Sequence, residues 1–250
     1  MTHRPTVSVA IAALNEGAQV QATVSCLLAS KTVPDEIVVY DDCSVDPCPD
    51  VRGARYVQGT RKLGSGGAKQ AAVNECEGDV IVVLDAHCRP AVDWLCHILD
   101  AHRRAPWAVL CPVCVGIDSA SYRSGSFRGM GGELKMGPRG FWEVQWHPPQ
   151  TGVHAYCVPA VIGGCYVIPR NVLDLIGGYA PGLKAYGNEE EYLALRTWLV
   201  GCECKVVPTS VVGHYFDRPL NRESTDKTKE NEWAQDVNRH IMARVCFGLS

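Results

Sequence analysis

The first half of the chain alternates between two kinds of apolar pattern. Short continuous runs at residues 6–13, 36–40, 54–57 and 80–84 have the length and β-branched content of buried strands. Between them helices are predicted at residues 19–30, 66–76 and 93–103, the first with the apolar spacing of an amphipathic helix. Val20, Val24, Leu27 and Leu28 share one face of the first of these. The β-α-β-α-β rhythm predicts a parallel, doubly wound sheet with right-handed crossovers. Val80, Ile81, Val82, Val83 and Leu84 show no polar alternation, which is what a strand covered on both faces requires.

After residue 115 the pattern changes, and glycine, serine, arginine and aromatic residues crowd 116–149. Residues 141–146 alternate like a strand, with Trp142, Val144 and Trp146 on one face. An apolar run at 158–168 is interrupted by Gly163-Gly164, a place where the backbone must approach something closely. A short helix is predicted at 171–176, then an amphipathic helix carrying Tyr192, Leu195, Trp198 and Leu199. A strand at 206–212 and a last helix at 231–245 complete the pattern.

Three of the four predicted strands of this half end in Asn15-Glu16, Asp41-Asp42 and Asp85-Ala86-His87. In an open α/β sheet ligands collect at the carboxyl ends of strands. An Asp-x-His there offers a carboxylate and an imidazole to a divalent metal, and the repeated carboxylates describe a metal–nucleotide crevice. His214, just past the strand at 206–212, is positioned to complete that metal site. No G-x-G-x-x-G follows the first strand and no G-x-x-x-x-G-K-[ST] occurs, which disfavours dinucleotide-binding and P-loop proteins. Arg61-Lys62-Leu63-Gly64-Ser65-Gly66-Gly67 is a basic, glycine-rich turn entering a helix. Its N–H groups are expected to face a phosphate or base. Glu189, Glu190 and Glu191 open a helix, where acidic residues suit the dipole.

Composition narrows the picture further. A net charge of −3 over 250 residues gives no global attraction to nucleic acid or an anionic membrane. No apolar run reaches the roughly 18 residues of a membrane span, and the N-terminus lacks the apolar core of a signal peptide. A soluble, cytoplasmic protein is the expectation. The 13 cysteines argue for buried free thiols rather than a disulfide framework. Cys111 with Cys114, and Cys202 with Cys204, are four potential zinc ligands, although each pair lies in an apolar, strand-like run where cysteine serves as a small hydrophobe.

Several of these segments recur in order in a known family. Leu84-Asp85-Ala86-His87-Cys88 with Trp94-Leu95, Gly163-Gly164, Ile176-Gly177-Gly178-Tyr179, Tyr186-Gly187-Asn188-Glu189, Arg196, Trp198 and Val212-Gly213-His214-Tyr215-Phe216 resemble motifs of GT-A fold glycosyltransferases. The similarity runs from residue 7 to residue 218. It is to family 2 glycosyltransferases and to the catalytic domain of polypeptide N-acetylgalactosaminyltransferases. The resemblance implies an α/β, Rossmann-like GT-A fold: a mostly parallel central sheet flanked by helices, with a small antiparallel sheet on the acceptor side. Residues 1–115 would form the nucleotide-sugar-binding half, and 116–250 the acceptor-binding and catalytic half.

The resemblance also implies a UDP-sugar donor and a Mn²⁺ or Mg²⁺ ion held by Asp85, His87 and His214. Two imidazoles beside one carboxylate favour Mn²⁺. Asn15, Glu16, Asp41 and Asp42 would line the uridine pocket, Arg61 or Lys62 would lie beside the uracil, and Ala86, Gly163 and Gly164 would border the donor. The polar segment 217–229 looks like a lid over the donor. Retaining relatives usually carry Glu-Asn where this chain has Glu189-Glu190, whereas inverting family 2 enzymes carry Glu-Asp with the second carboxylate as base. Glu190 is thus the expected general base of an inverting transfer, with Glu189 binding donor or acceptor. A retaining transfer, a nucleotidyltransferase and an inactive sugar-nucleotide-binding module are the alternatives. The acceptor is open: a protein hydroxyl, a glycan, a small molecule or a hydroxymethylated DNA base.

Overall fold

The computed structural model describes residues 4–48, 50–118, 124–137, 142–147, 150, 152–216 and 228–248. The first half runs β1 (Val7–Ala13), α1 (Ala18–Leu28), β2 (Glu36–Asp41), β3 (Arg55–Gln58), α2 (Ser65–Asn74), β4 (Val80–Asp85), β5 (Cys88–Pro90) and α3 (Trp94–Arg104). The strands β6 (Ala108–Ile117), β7 (Ser124–Gly129), β8 (Gly132–Met136), β9 (Trp142–Trp146), β10 (Tyr156–Cys157) and β11 (Cys165–Pro169) follow. The chain then continues through α4 (Arg170–Ile176), α5 (Glu189–Leu199), β12 (Glu203–His214) and α6 (Thr228–Phe247).

β1 lies between β2 and β4 and is parallel to both, and β3 extends the parallel set beside β2. The apolar run of β4 is explained by its two covered faces. Ile81 and Val83 enter a core with Ala72 and Val73 of α2, Leu173 of α4 and Leu193 of α5. Val80, Val82 and Leu84 enter a second core with Val24 and Leu27 of α1 and Trp94 and Ile98 of α3. Burying a large aliphatic side chain contributes about 1.5–3 kcal/mol, so β4 anchors both helical layers.

The second half departs from a purely parallel winding. β11 inserts antiparallel between β4 and β6, and β12 then runs parallel to β6. The sheet is therefore mixed, with its parallel part dominant, and β8 and β9 form a separate antiparallel pair. Strands from both halves of the chain share the one large sheet. Three-residue β5 pairs antiparallel with the end of β12, so that His214 lies opposite Cys88 and Gly213 opposite Arg89. Among the described residues no helix is long and apolar enough to cross a membrane. The predicted lid falls largely outside the described residues, since only its last positions belong to α6.

Candidate active site

Four strand ends meet at one edge of the sheet. Asp85 closes β4, His87 stands in the turn between β4 and β5, and His214 ends β12. The β5–β12 pairing carries His214 to His87, and the Tyr215 N–H donates to the His87 carbonyl at 3.2 Å. Nε2 of His214 lies 3.1 Å from Nε2 of His87 and 3.2 Å from Oδ2 of Asp85. One potential ligand atom from each of the three falls within 4.8 Å of the others, the one such grouping of three or more among the described residues. Cys111, Cys114, Cys202 and Cys204 are not gathered into a zinc site, and none of the thirteen cysteines is in a disulfide.

The donor set suits a divalent ion. Glu16 Oε2 lies 3.2 Å from His87 Nδ1, which fixes the ring proton on that nitrogen and turns the Nε2 lone pair inward. The Nε2 atoms of the two rings stand close enough to share one proton or to bind one cation. Burial pushes the Asp85 carboxyl up, but the His214 hydrogen bond and the charges of Lys69, His87 and His214 hold it well below the usual range. Asp85 is thus an anion, as a metal ligand must be.

The other strand ends are knitted together. Asn15 adopts φ 55°, its N–H donates to Ser44 Oγ, and its Oδ1 accepts from the Val45 N–H. Asp41 is buried and accepts from the Ser44 N–H at 2.7 Å. Asp42 is also buried and accepts from Leu63 N–H at 2.6 Å and Gly64 N–H at 2.9 Å. The Ser65 N–H donates to the Ala185 carbonyl at 2.6 Å. The N–H groups of Leu63, Gly64 and Ser65 are therefore taken within the protein and do not face a phosphate or base. Arg61 and Lys62 are exposed at the rim of this turn, and Lys62 acts electrostatically on Asp42. The Ala86 side chain is buried and its carbonyl accepts from Thr23 Oγ1.

Gly163 and Gly164 lie between the His-Asp-His cluster and α5. A Cβ on Gly163 would stand 2.9 Å from Glu190 Oε1, and one on Gly164, at φ +100°, 3.0 Å from Cδ2 of His214. The Gly164 carbonyl accepts from the Asp85 N–H at 2.9 Å. The close approach read from the sequence is thus to Glu190 at Gly163 and to His214 at Gly164, where the positive φ also favours glycine.

The three glutamates at the start of α5 divide their tasks. Glu189 Oε2 accepts from the Gly187 N–H, Glu190 Oε1 from Lys69 Nζ at 2.6 Å, and Glu191 Oε1 from the Val144 N–H. Burial drives the Glu190 carboxyl up from its ordinary value, with Lys69 opposing and Glu189 adding to the rise. Lys69 of α2 is buried, and sequence reading missed it. A lysine in a helix of weak apolar pattern looks solvent-facing, and no local signal marks the carboxylates that tertiary folding brings over it. A small pocket beside the Gly-Gly turn is lined by Gly163, Gly164, Cys88, Cys165, Trp146 and His214. Trp146, read as a core candidate, is half-buried there and meets Phe216 edge-on at 6.0 Å.

This arrangement, a nucleotide-type sheet with a His-Asp-His cluster at its edge and a buried carboxylate beside it, defines a GT-A glycosyltransferase fold. Residues 8–177 match the family model "Glycosyl transferase family 2", and the chain belongs to that family. It is 26% identical over 269 residues to polypeptide N-acetylgalactosaminyltransferase 4 of Mus musculus, covering 96% of this chain and 46% of that protein. To polypeptide N-acetylgalactosaminyltransferase 10 of Homo sapiens it is 28% identical over 233 residues, 85% of this chain and 38% of the relative. The chain spans less than half the length of these relatives. Its fold matches a crystal structure of GalNAc-T7 with UDP, GalNAc and Mn²⁺ at a TM-score of 0.74 and 24% identity, over 85% of this chain and 43% of that one. It also matches S. aureus TarS in complex with UDP-GlcNAc, at 0.63 and 16% identity, over 88% and 61% of the two chains.

Proposed function

We propose that this protein transfers a sugar from a UDP-sugar to an acceptor hydroxyl, with inversion at the anomeric carbon and Glu190 as general base. The observation that carries the proposal is the Gly163-Gly164 step. It sets a buried carboxylate and a metal-binding imidazole against successive residues of one backbone turn. The relatives named above and the UDP and UDP-GlcNAc held by the two structural neighbours support a uridine-linked donor.

Asp85, His87 and His214 would hold a Mn²⁺ ion, with Mg²⁺ the harder and less suited substitute. Bound there, the ion would neutralise charge growing on the departing diphosphate. Glu16 orients His87, and Asp42 fixes the turn that presents Arg61 and Lys62. Asn15, Asp41 and Asp42 frame the side of the crevice where uridine would lie. Glu190 takes the proton of the acceptor hydroxyl as its oxygen bonds to the anomeric carbon, while the bond to the diphosphate breaks and its electron pair leaves with UDP. Glu189, anchored to the Gly187 N–H, is left to receive hydroxyl groups of the donor or acceptor.

Incubation with a panel of UDP-sugars and Mn²⁺, reading UDP release, tests the donor and the reaction together. NMR of the product gives its anomeric configuration, and a retained linkage rules out Glu190 as base. Pyrophosphate in place of UDP identifies a nucleotidyltransferase, and donor binding with no turnover an inactive binding module. Mass spectrometry of candidate proteins, glycans, small molecules and hydroxymethylated DNA identifies the acceptor.

A further inference from the structure

Lys69 has no task in the reaction as described, yet its side chain is only 7% exposed. Burial disfavours an ammonium ion, so a lysine in this position needs compensation. Burial does pull its pKa down, but Glu190, Tyr166, Glu189 and Asp85 outweigh that and hold it well above the ordinary lysine value. Nζ lies 2.6 Å from Glu190 Oε1, 3.6 Å from Glu189 Oε1, and 5.9 Å above the centre of the Tyr166 ring.

Glu189 and Glu190 are adjacent, and both carboxylates are almost excluded from solvent. Two carboxylates sharing such a site do not both ionise near neutrality unless a cation lies between them. Glu189 Oε2 is already held by the Gly187 N–H, and its buried Oε1 makes no hydrogen bond, with Lys69 Nζ the nearby cation. The groups facing this pair are Glu191 on the same helix, with Arg239 of α6 acting on it, Tyr166 of β11, and Tyr179 and Tyr186 from the segment before α5. Lys69 is the cation in direct contact with both carboxylates.

We infer that Lys69 is a positioning residue of the transfer reaction: its grip on Oε1 orients the Glu190 carboxylate and lets Glu189 and Glu190 persist together as anions. The inference rests on the reading of Glu190 as base. Lys69 keeps its proton throughout. The acceptor proton ends on Glu190, and the electron pair of the broken donor bond ends on UDP. Without Lys69, the like charge of Glu189 drives a proton onto Glu190 before an acceptor arrives, and the base is unavailable at neutral pH.

The test uses the full chain with Mn²⁺ and the best UDP-sugar of the panel, comparing Lys69→Met and Lys69→Arg with the parent from acid to alkaline pH. In Lys69→Met the acid limb of kcat moves to higher pH, and kcat at neutral pH falls on the order of tenfold for each unit of displacement. Donor KM and UDP affinity by calorimetry stay within about threefold, and Lys69→Arg restores the limb toward the parent. An unmoved limb, or a loss confined to donor KM, overturns the inference. Carboxyl-carbon NMR of Glu190 in the same variants separates the two ways of failing. If Glu190 titrates higher in Lys69→Met but no protein releases UDP, the transfer reaction is wrong and the Lys69–Glu190 coupling stands. If the Glu190 titration does not move, the role of Lys69 is wrong. Should Lys69→Met fail to fold, the Lys69→Arg profile and the parent's Glu190 titration decide, and a Glu190 in the parent that is neutral at the pH of maximal kcat overturns the inference.

Discussion

Nε2 of His87 and Nε2 of His214 stand 3.1 Å apart, although 127 positions separate the two residues in the chain. Asp85 Oδ2 lies 3.2 Å from the second ring, and on the proposed reading the three groups would hold one divalent cation. Mn²⁺ at a hundred times its Kd should stabilise the protein by about 2.7 kcal/mol, a shift readable in thermal melts. His214→Ala should abolish that shift and the metal-dependent UDP release. A shift that survives in the variant places the ion elsewhere.

Gly163→Ala and Gly164→Ala should separate. The Gly163 substitution pushes against the end of the flexible Glu190 side chain, so it should melt within about 1 kcal/mol of the parent and lose most of its turnover. At Gly164, φ +100° and the His214 ring both oppose a Cβ, so the cost to folding is on the order of 1–3 kcal/mol, with weakened metal binding besides. Paired melting curves and Mn²⁺ titrations check this, and equal behaviour of the two would contradict it.

Glu190 sets a pH dependence. Its folded-state pKa is raised by burial, with Lys69 opposing. The folded protein therefore holds this proton more tightly than the unfolded chain does. The stability it contributes is full below the unfolded glutamate value and is lost as pH rises through the folded one. The base form appears over that same window, so kcat should climb on the acid side of neutrality while stability from this group declines. Glu190→Gln should remove both trends, abolish transfer and leave UDP binding intact. A pH–rate profile of unchanged shape in a still-active variant would assign the limb to another group.

Asp42→Ala removes the acceptor of two backbone N–H groups, those of Leu63 and Gly64. Each buried donor left unpaired costs about 1–3 kcal/mol, and the turn carrying Arg61 and Lys62 should loosen. UDP affinity by calorimetry should fall at least several-fold, whereas Mn²⁺ binding alone should not change. Undiminished UDP affinity would detach this turn from the nucleotide.

The cysteines should behave as thiols. Cys157 is exposed, whereas Cys76, Cys88, Cys111, Cys165 and Cys204 are buried with pKa values raised by burial. In a thiol-reagent titration of the native protein Cys157 should react early and these five only on unfolding. Stoichiometric zinc that resists chelation would refute the thiol reading.

The local pattern determined a good part of this molecule. The doubly covered β4, its flanking helices and the acidic strand ends were legible because a buried strand and an amphipathic helix each impose a period that the sequence must carry. The Gly-Gly step was legible as a close approach, but not what it approached. Three-residue β5 was not legible, because a strand so short has no period and is defined only by its partner β12. The direction of β11 was equally hidden, since an apolar run reads the same in either orientation. For Leu63, Gly64 and Ser65 the expected ligand contact gave way to internal ones, because N–H groups carry no mark of which acceptor will reach them first, and here Asp42 and Ala185 do. Lys69 is the clearest case: its charge alone looked like a surface residue, and only the fold that brings Glu189 and Glu190 to it turned it into a buried counterion. The sequence determined which chemical groups line the strand ends, because that depends on neighbours along the chain. The tertiary structure alone decided which of them meet, because charge pairing and metal geometry depend on distances that sequence separation does not fix.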